Sequence, residues 1–159
     1  MSKHEEKTNV MRVLDSKKVE YTSHCYADTP TTNGVEGAKI LGQNPADVFK
    51  TLVTTSKSGT NYVFVIPVGE ELDLKKAAKT AGEKSIEMLK SKELLPLTGY
   101  VHGGCSPIGM KKAFKTFIDI SAESRDKIIF SAGKIGYQVE IRLSELSKVL
   151  EFSLEDLTV

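Results

Sequence analysis

The chain has no long apolar run: nothing approaches the ~18 consecutive residues that a membrane-spanning helix needs. The opening stretch, Met1-Ser2-Lys3-His4-Glu5-Glu6-Lys7, is polar and has no apolar core of the kind a secretory signal requires. Together these two absences set the expectation of a cytoplasmic protein with no membrane partner. Charge of one sign is also lacking, since 22 basic residues face 21 acidic ones for a formal net charge of +1. A chain that gripped nucleic acid by itself would be more basic, so such a contact should be local to lysine patches or assisted by a partner. Cysteine is scarce. Cys25 and Cys105 form neither a CxxC pair nor a disulfide framework, and free thiols are the plain expectation. Repeats, low-complexity stretches and interdomain linkers are missing as well. The 159 residues therefore read as one domain over 1–159, able to bury roughly 70% of the unfolded surface.

What is present is a mixture of helical and strand periodicities. Asn9 to Lys17 predicts a helix, with Val10, Val13 and Leu14 at core spacing and Thr8 as its cap. Glu20 to Tyr26 predicts a strand, Asp28 to Gly34 a loop, and Val35 to Leu41 a short helix stopped by Gly42. The strand Asp47 to Thr55 and the strand Tyr62 to Val68 form a hairpin candidate across Ser56-Lys57-Ser58-Gly59-Thr60. Asp73 to Ala81 is the clearest helix. Leu74, Ala77, Ala78 and Ala81 lie on one face, Asp73 can cap it, and Gly82 can end it. Lys75, Lys76 and Lys79 lie on its outer face. Ser85 to Met88 predicts a short strand and Leu89 to Leu95 a helical turn or two. The strands Thr116 to Ile120, Lys127 to Ala132 and Tyr137 to Leu143 follow, the last with Gln138, Glu140 and Arg142 on a wet face. Ser144 caps a closing helix to Leu150. Without a steady βαβ rhythm, the pattern implies a compact α+β domain built on a mixed sheet.

One lysine stands out. Lys50 shares a strand face with Val48 and Leu52, beside the run Tyr62-Val63-Phe64-Val65-Ile66, which is apolar on both faces. An ammonium there must find anionic partners or line a cleft, unless the strand is exposed and the lysine merely guards an edge. Gly103-Gly104 allows close backbone approach to a substrate carbonyl, with Ser106 as a hydrogen-bond donor and Pro107 as a stiffener, but it reads equally as a simple turn. It matches neither a P-loop nor a dinucleotide-binding fingerprint. Ser131-Ala132-Gly133-Lys134-Ile135-Gly136 reads first as a hairpin connection, and Ser131 acquires a functional meaning only if it opens onto the Lys50 cleft. His102 with Cys105, and His24 with Cys25, make neither a convincing metal set nor a nucleophilic pair with an orienting third residue. Lys111, Lys112 and Lys115 follow the glycine loop closely enough to meet a phosphate backbone.

Taken in order, Val48-Phe49-Lys50-Thr51-Leu52, Leu72-Asp73-Leu74-Lys75-Lys76, Thr98-Gly99-Tyr100 with Gly103-Gly104-Cys105-Ser106-Pro107-Ile108-Gly109, and Phe130-Ser131-Ala132-Gly133-Lys134 resemble the YbaK/EbsC family of Cys-tRNA(Pro) deacylases. The resemblance spans about Val10 to Leu150. It implies a mixed-sheet, barrel-like core flanked by helices, related to the editing domain inserted in bacterial prolyl-tRNA synthetases. It implies trans-editing of mischarged tRNA, in which the ester joining cysteine to tRNA(Pro), and to tRNA(Cys) as well, is cleaved beside prolyl-tRNA synthetase. It also implies chemistry without metal, cofactor or protein nucleophile, the substrate thiol attacking its own ester. By the same resemblance Lys50 is the catalytic lysine, Gly103 and Gly104 form the loop that meets the carbonyl, and Ser131 is the serine near the thiol; Tyr26, Ser106, Pro107, Gly133 and Lys134 are the further candidates for holding substrate. The Thr31 to Gly37 segment departs from the family in spacing and has no aromatic residue near Asn33. Two alternatives stay open at this stage: a deacylase for another mischarged tRNA such as Ala-tRNA(Pro), with water as nucleophile, and a non-catalytic module that binds tRNA or a synthetase.

Overall fold

In the computed structural model, residues 7–26 and 38–159 are described. The Asp28 to Gly34 loop, the Thr31 to Gly37 departure and the start of the Val35 to Leu41 helix lie outside them. Helix α1 spans Asn9–Ser16 because Thr8 accepts a hydrogen bond from Met11 N and because Val10, Met11 and Leu14 fall on one buried stripe. Strand β1 (Thr22–Cys25) is shorter than the run that suggested it. Residues 38–40 are helical, and Gly42 follows with φ +69°.

The hairpin forms as expected. Strand β2 (Phe49–Ser56) pairs antiparallel with β3 (Asn61–Pro67), and the register places Lys50 opposite Ile66. Helix α2 (Leu74–Ala81) is capped by the Asp73 carboxylate, which accepts from Lys75 N and Lys76 N, and it ends at a left-handed Gly82. Ala77 and Ala78 are buried, but Leu74 is 39% exposed, so the expected apolar face is narrower by that residue. Lys76 is not a free surface cation: its Nζ reaches Asp156 and the Thr158 carbonyl and ties the chain's last residues to the helix. Strand β4 (Ile86–Met88) and helix α3 (Ser91–Thr98) come next. Strands β5 (Lys115–Asp119), β6 (Ile128–Ser131) and β7 (Tyr137–Ile141) follow. The closing helix α4 is only Leu143–Leu146, its N-cap is Arg142, and no side chain caps it, so Ser144 lies inside the helix instead of before it. Strand β8 (Ser153–Glu155) completes the fold.

Among the described residues two sheets form, neither closed into a barrel. One is five-stranded in the order β4-β2-β3-β5-β8, with parallel pairing from β3 to β5 and from β5 to β8. Its centre is β3, which explains why Phe64, Val65 and Ile66 are fully buried and why that run is apolar on both faces. The other is an antiparallel β1-β7-β6 sheet, in which β6 pairs with β7 through Phe130 opposite Val139 and Ser131 opposite Gln138. The sheets meet where Val48, just ahead of β2, bridges Ile129 of β6. An ion pair between Arg125 and Asp47 holds the entry to β2 against the turn before β6. The main core fills the space between α1 and the sheets, and a second core lies under α2 around Phe64, Phe117 and Leu157.

Candidate active site

The junction of the two sheets leaves a cleft of about 560 Å³, and Lys50 lines it together with Tyr26, Gly103, Cys105, Ser131 and Gln138. That volume suits a small-molecule-sized group bounded by apolar walls, supplied here by Phe49, Leu89, Leu94 and Phe130. Lys50 is half-buried and makes no ion pair or hydrogen bond with any described residue. Of the two outcomes open to a lysine on that strand face, the cleft is the one realised. An ammonium confined beside apolar walls, with three unsatisfied donors, is poised to receive an oxygen of a bound ligand.

The two glycine-containing loops come together main chain against main chain. A Cβ built on Gly104 would stand 3.0 Å from Ile135 N and 3.3 Å from the Lys134 carbonyl carbon, and one on Gly103 would touch the Ile135 side chain at 3.7 Å. Only glycine at position 104 lets these backbones approach so closely. The two N–H groups of the step differ in availability. Gly104 N donates to the Val101 carbonyl at 3.0 Å and closes a turn, whereas Gly103 N–H, in a residue that lines the cleft, has no partner among the described residues. Ser131 Oγ accepts from Gly133 N at 3.1 Å, which fixes the oxygen and leaves its own proton to donate.

The remaining candidates take different places. Tyr26 is buried at the cleft wall, its N donates to the Gly136 carbonyl, and burial raises its phenol above the ordinary range. Lys134 Nζ lies 5.2 Å from the centre of the Tyr137 ring, and Tyr137 lines the cleft. Ser106 is fully buried, and its Oγ accepts from Ile108 N. Gly104, Ser106, Pro107, Gly133 and Lys134 are not among the lining residues. Pro107 lines a second cleft, as do Lys112 and Lys115, while Lys111 lays its aliphatic stem against Gly99.

Among the lining residues are Gln138, which the sequence reading missed, and His102 and Cys105, which it set aside as a metal or nucleophilic pair. Gln138 was assigned to the wet face of its strand, yet it is 4% exposed, with its Oε1 accepting from Gln43 Nε2 and its own amide nitrogen donating to no described group. The signal was present in hairpin arithmetic, because Ser131 and Gln138 flank the connecting turn and must face each other. His102 and Cys105 both line the cleft but do not bond to each other. Burial pushes the Cys105 thiol from an ordinary 9.0 up to about 12, so at neutral pH it presents a neutral S–H. Among the described residues, no three His, Cys, Asp or Glu side chains gather as a metal-binding group.

Comparison with known proteins fits this geometry. The aminoacyl-tRNA editing domain matches residues 28–149. A protein of Enterococcus faecalis, named "Putative Cys-tRNA(Pro)/Cys-tRNA(Cys) deacylase EbsC", is 46% identical over 140 residues, covering 87% of this chain and 85% of that one. The fold is shared with the crystal structure of a hypothetical protein, at a TM-score of 0.83 and 22% identity over 96% of this chain and 100% of that one. It is shared too with a "putative trans-editing enzyme for prolyl tRNA synthetase", at a TM-score of 0.80 and 21% identity over 97% of this chain and 99% of that one.

Proposed function

The chain belongs to the aminoacyl-tRNA editing domain family, and we propose that it is a trans-editing deacylase whose substrate is Cys-tRNA(Pro), with Cys-tRNA(Cys) as a second substrate. The observation that carries this reading is Lys50: an ammonium with no partner among the described residues, inside a cleft whose wall includes Gly103 and Ser131. Cysteine and proline are similar in size, and a pocket separates small apolar differences only about 10- to 200-fold, which gives a second sieve a physical purpose.

The chemistry follows from what the cleft supplies and what it leaves to the substrate. The cysteinyl sulfur attacks the ester carbonyl carbon, forming the C–S bond. The C–O bond to the ribose then breaks, and the ribose oxygen leaves with the tRNA, carrying the proton the thiol gave up. The other product is a cyclic thiolactone. The Lys50 ammonium and the Gly103 N–H stabilise the charge that builds on the carbonyl oxygen. Ser131 donates its hydroxyl proton to the aminoacyl group and holds the sulfur near its target, and the apolar walls keep bulk water away. Cys105, held as a neutral thiol, offers a small wall and not a nucleophile. No cofactor enters. Prolyl-tRNA synthetase is the proposed partner, supplying tRNA selection that a chain of net charge +1 does not supply alone.

The test compares Cys-tRNA(Pro) with Ser-tRNA(Pro), which differ by sulfur for oxygen. Fast release confined to the cysteinyl ester, with the thiolactone recovered, supports substrate-assisted cleavage. Equal release from both, or release from Ala-tRNA(Pro), removes the thiol from the mechanism and makes the protein a hydrolase using water.

A further inference from the structure

A second cleft, of about 660 Å³, is lined by the continuation of the segment that walls the first. His102, Gly103 and Cys105 face the Lys50 cleft, whereas Pro107 to Met110 and Lys112 to Thr116 line the second one, closed opposite by 149–153. Phe114 and Phe152 each give part of their surface to the main core and part to this cleft. Lys112 and Lys115 are exposed at its edge and pair with no described carboxylate, and Lys115 Nζ sits 5.6 Å from the centre of the Phe117 ring. Glu151 is the one acidic residue among the lining residues.

We propose that this second cleft holds single-stranded nucleotides of the tRNA acceptor end, the ones preceding the nucleotide whose ester enters the Lys50 cleft. The proposal rests on the deacylase reading and adds a binding site to it. Cations with no described carboxylate partner beside half-buried aromatic side chains suit a ligand that offers phosphates and flat apolar faces in alternation, which is what a single strand presents. A peptide would offer the lysines no regular anion. A strand esterified in the first cleft must continue somewhere, and the 102–116 segment contributes residues to both concavities. Glu151 opposes a polyanion and sets one edge of its path.

Uncharged tRNA(Pro), titrated into the full-length protein and followed by fluorescence anisotropy, tests the site without any chemistry. Lys112→Ala with Lys115→Ala is expected to weaken binding about tenfold, and to reduce the slope of log Kd against log salt by about 1.5. Glu151→Lys is expected to tighten it about threefold. Lys75→Ala with Lys79→Ala removes equal charge from the exposed face of α2 and should leave binding unchanged. If the 112/115 pair behaves like the 75/79 pair, the proposal fails. It fails equally if tRNA affinity holds while binding to purified prolyl-tRNA synthetase is lost, which assigns the cleft to protein. A parallel deacylation assay separates the two readings: turnover lost in Lys50→Ala with normal tRNA binding by the 112/115 variant sinks only this inference. Salt-sensitive binding through Lys112 and Lys115, with no deacylation by the native protein, sinks only the enzyme.

Discussion

The ring of Tyr100 occupies the space beside Gly133 so fully that a Cβ there would stand 3.0 Å from Tyr100 Cε1. The same tyrosine donates its hydroxyl to the Ile108 carbonyl, and that hydroxyl would be 2.9 Å from a Cβ on Gly109. One side chain thus braces both loops of the cleft from behind. Gly133 has φ +93°, a conformation in which any other residue is strained even before the ring is considered.

Gly133→Ala should therefore lower stability by about 1–3 kcal/mol through backbone strain, with the clash added to it. Tyr100→Phe leaves the buried Ile108 carbonyl without its donor and should cost about 1–3 kcal/mol. Urea midpoints measure both. An alanine variant at 133 as stable as the native chain would mean that the loops are not held by this contact.

The Lys50 ammonium has no hydrogen-bond or ion-pair partner among the described residues, so the fold loses no such contact when it is removed. Lys50→Met should keep the urea midpoint within about 0.5 kcal/mol of native while deacylation falls ~100-fold or more. Lys50→Arg keeps the charge but changes its shape and should not restore the rate. A methionine variant that turns over normally would take Lys50 out of the mechanism.

The amide pair Gln43–Gln138 joins the segment ahead of β2 to strand β7, with its buried Gln138 end in the cleft. Gln138→Leu strands Gln43 Nε2 and should destabilise by about 1–3 kcal/mol. Adding Gln43→Ala should recover part of that loss, and the double-mutant cycle reads the coupling directly. Strictly additive losses would show that the two amides do not act together.

Two buried acids make the protein sensitive to alkali. The Cys105 thiol stands at about 12 against an ordinary 9.0, and the Tyr100 phenol at about 12 against 10.0, both chiefly through desolvation. Both folded values lie above the unfolded ones, so the native state retains protons that the unfolded state has released. This stability is complete below about pH 9 and is lost as pH rises toward 12, each group adding a slope of ~1.4 kcal/mol per pH unit while only its unfolded form is ionised. Cys105→Ala should make the decline from pH 9 to 10 shallower, as read from urea midpoints on either side of pH 9. An unchanged slope would show that the thiol is not protonated by burial.

Local elements were legible where neighbours in the chain decide them. The Thr8 and Asp73 caps, the left-handed Gly82 and the β2–β3 hairpin each depend on a few consecutive residues, and each stands where the spacing placed it. The ordered motifs around Lys50, Gly103-Gly104 and Ser131 carried the family as well. Leu74 and Ser144 went otherwise because exposure and helix starts depend on which neighbours pack nearby, and α2 and α4 are both short.

By itself, then, the sequence determined the capped helices α1 and α2 and the β2–β3 hairpin. Tertiary structure alone decided that Gly104 N–H closes onto Val101 while Gly103 N–H has no partner among the described residues, that Gln138 faces inward, and that Lys112 and Lys115 border a different hollow from Lys50. The division has one cause. Turns and caps are settled by energies acting over a handful of residues, whereas a cleft wall is settled by contacts between segments far apart in the chain, and their register becomes fixed only when two sheets pack.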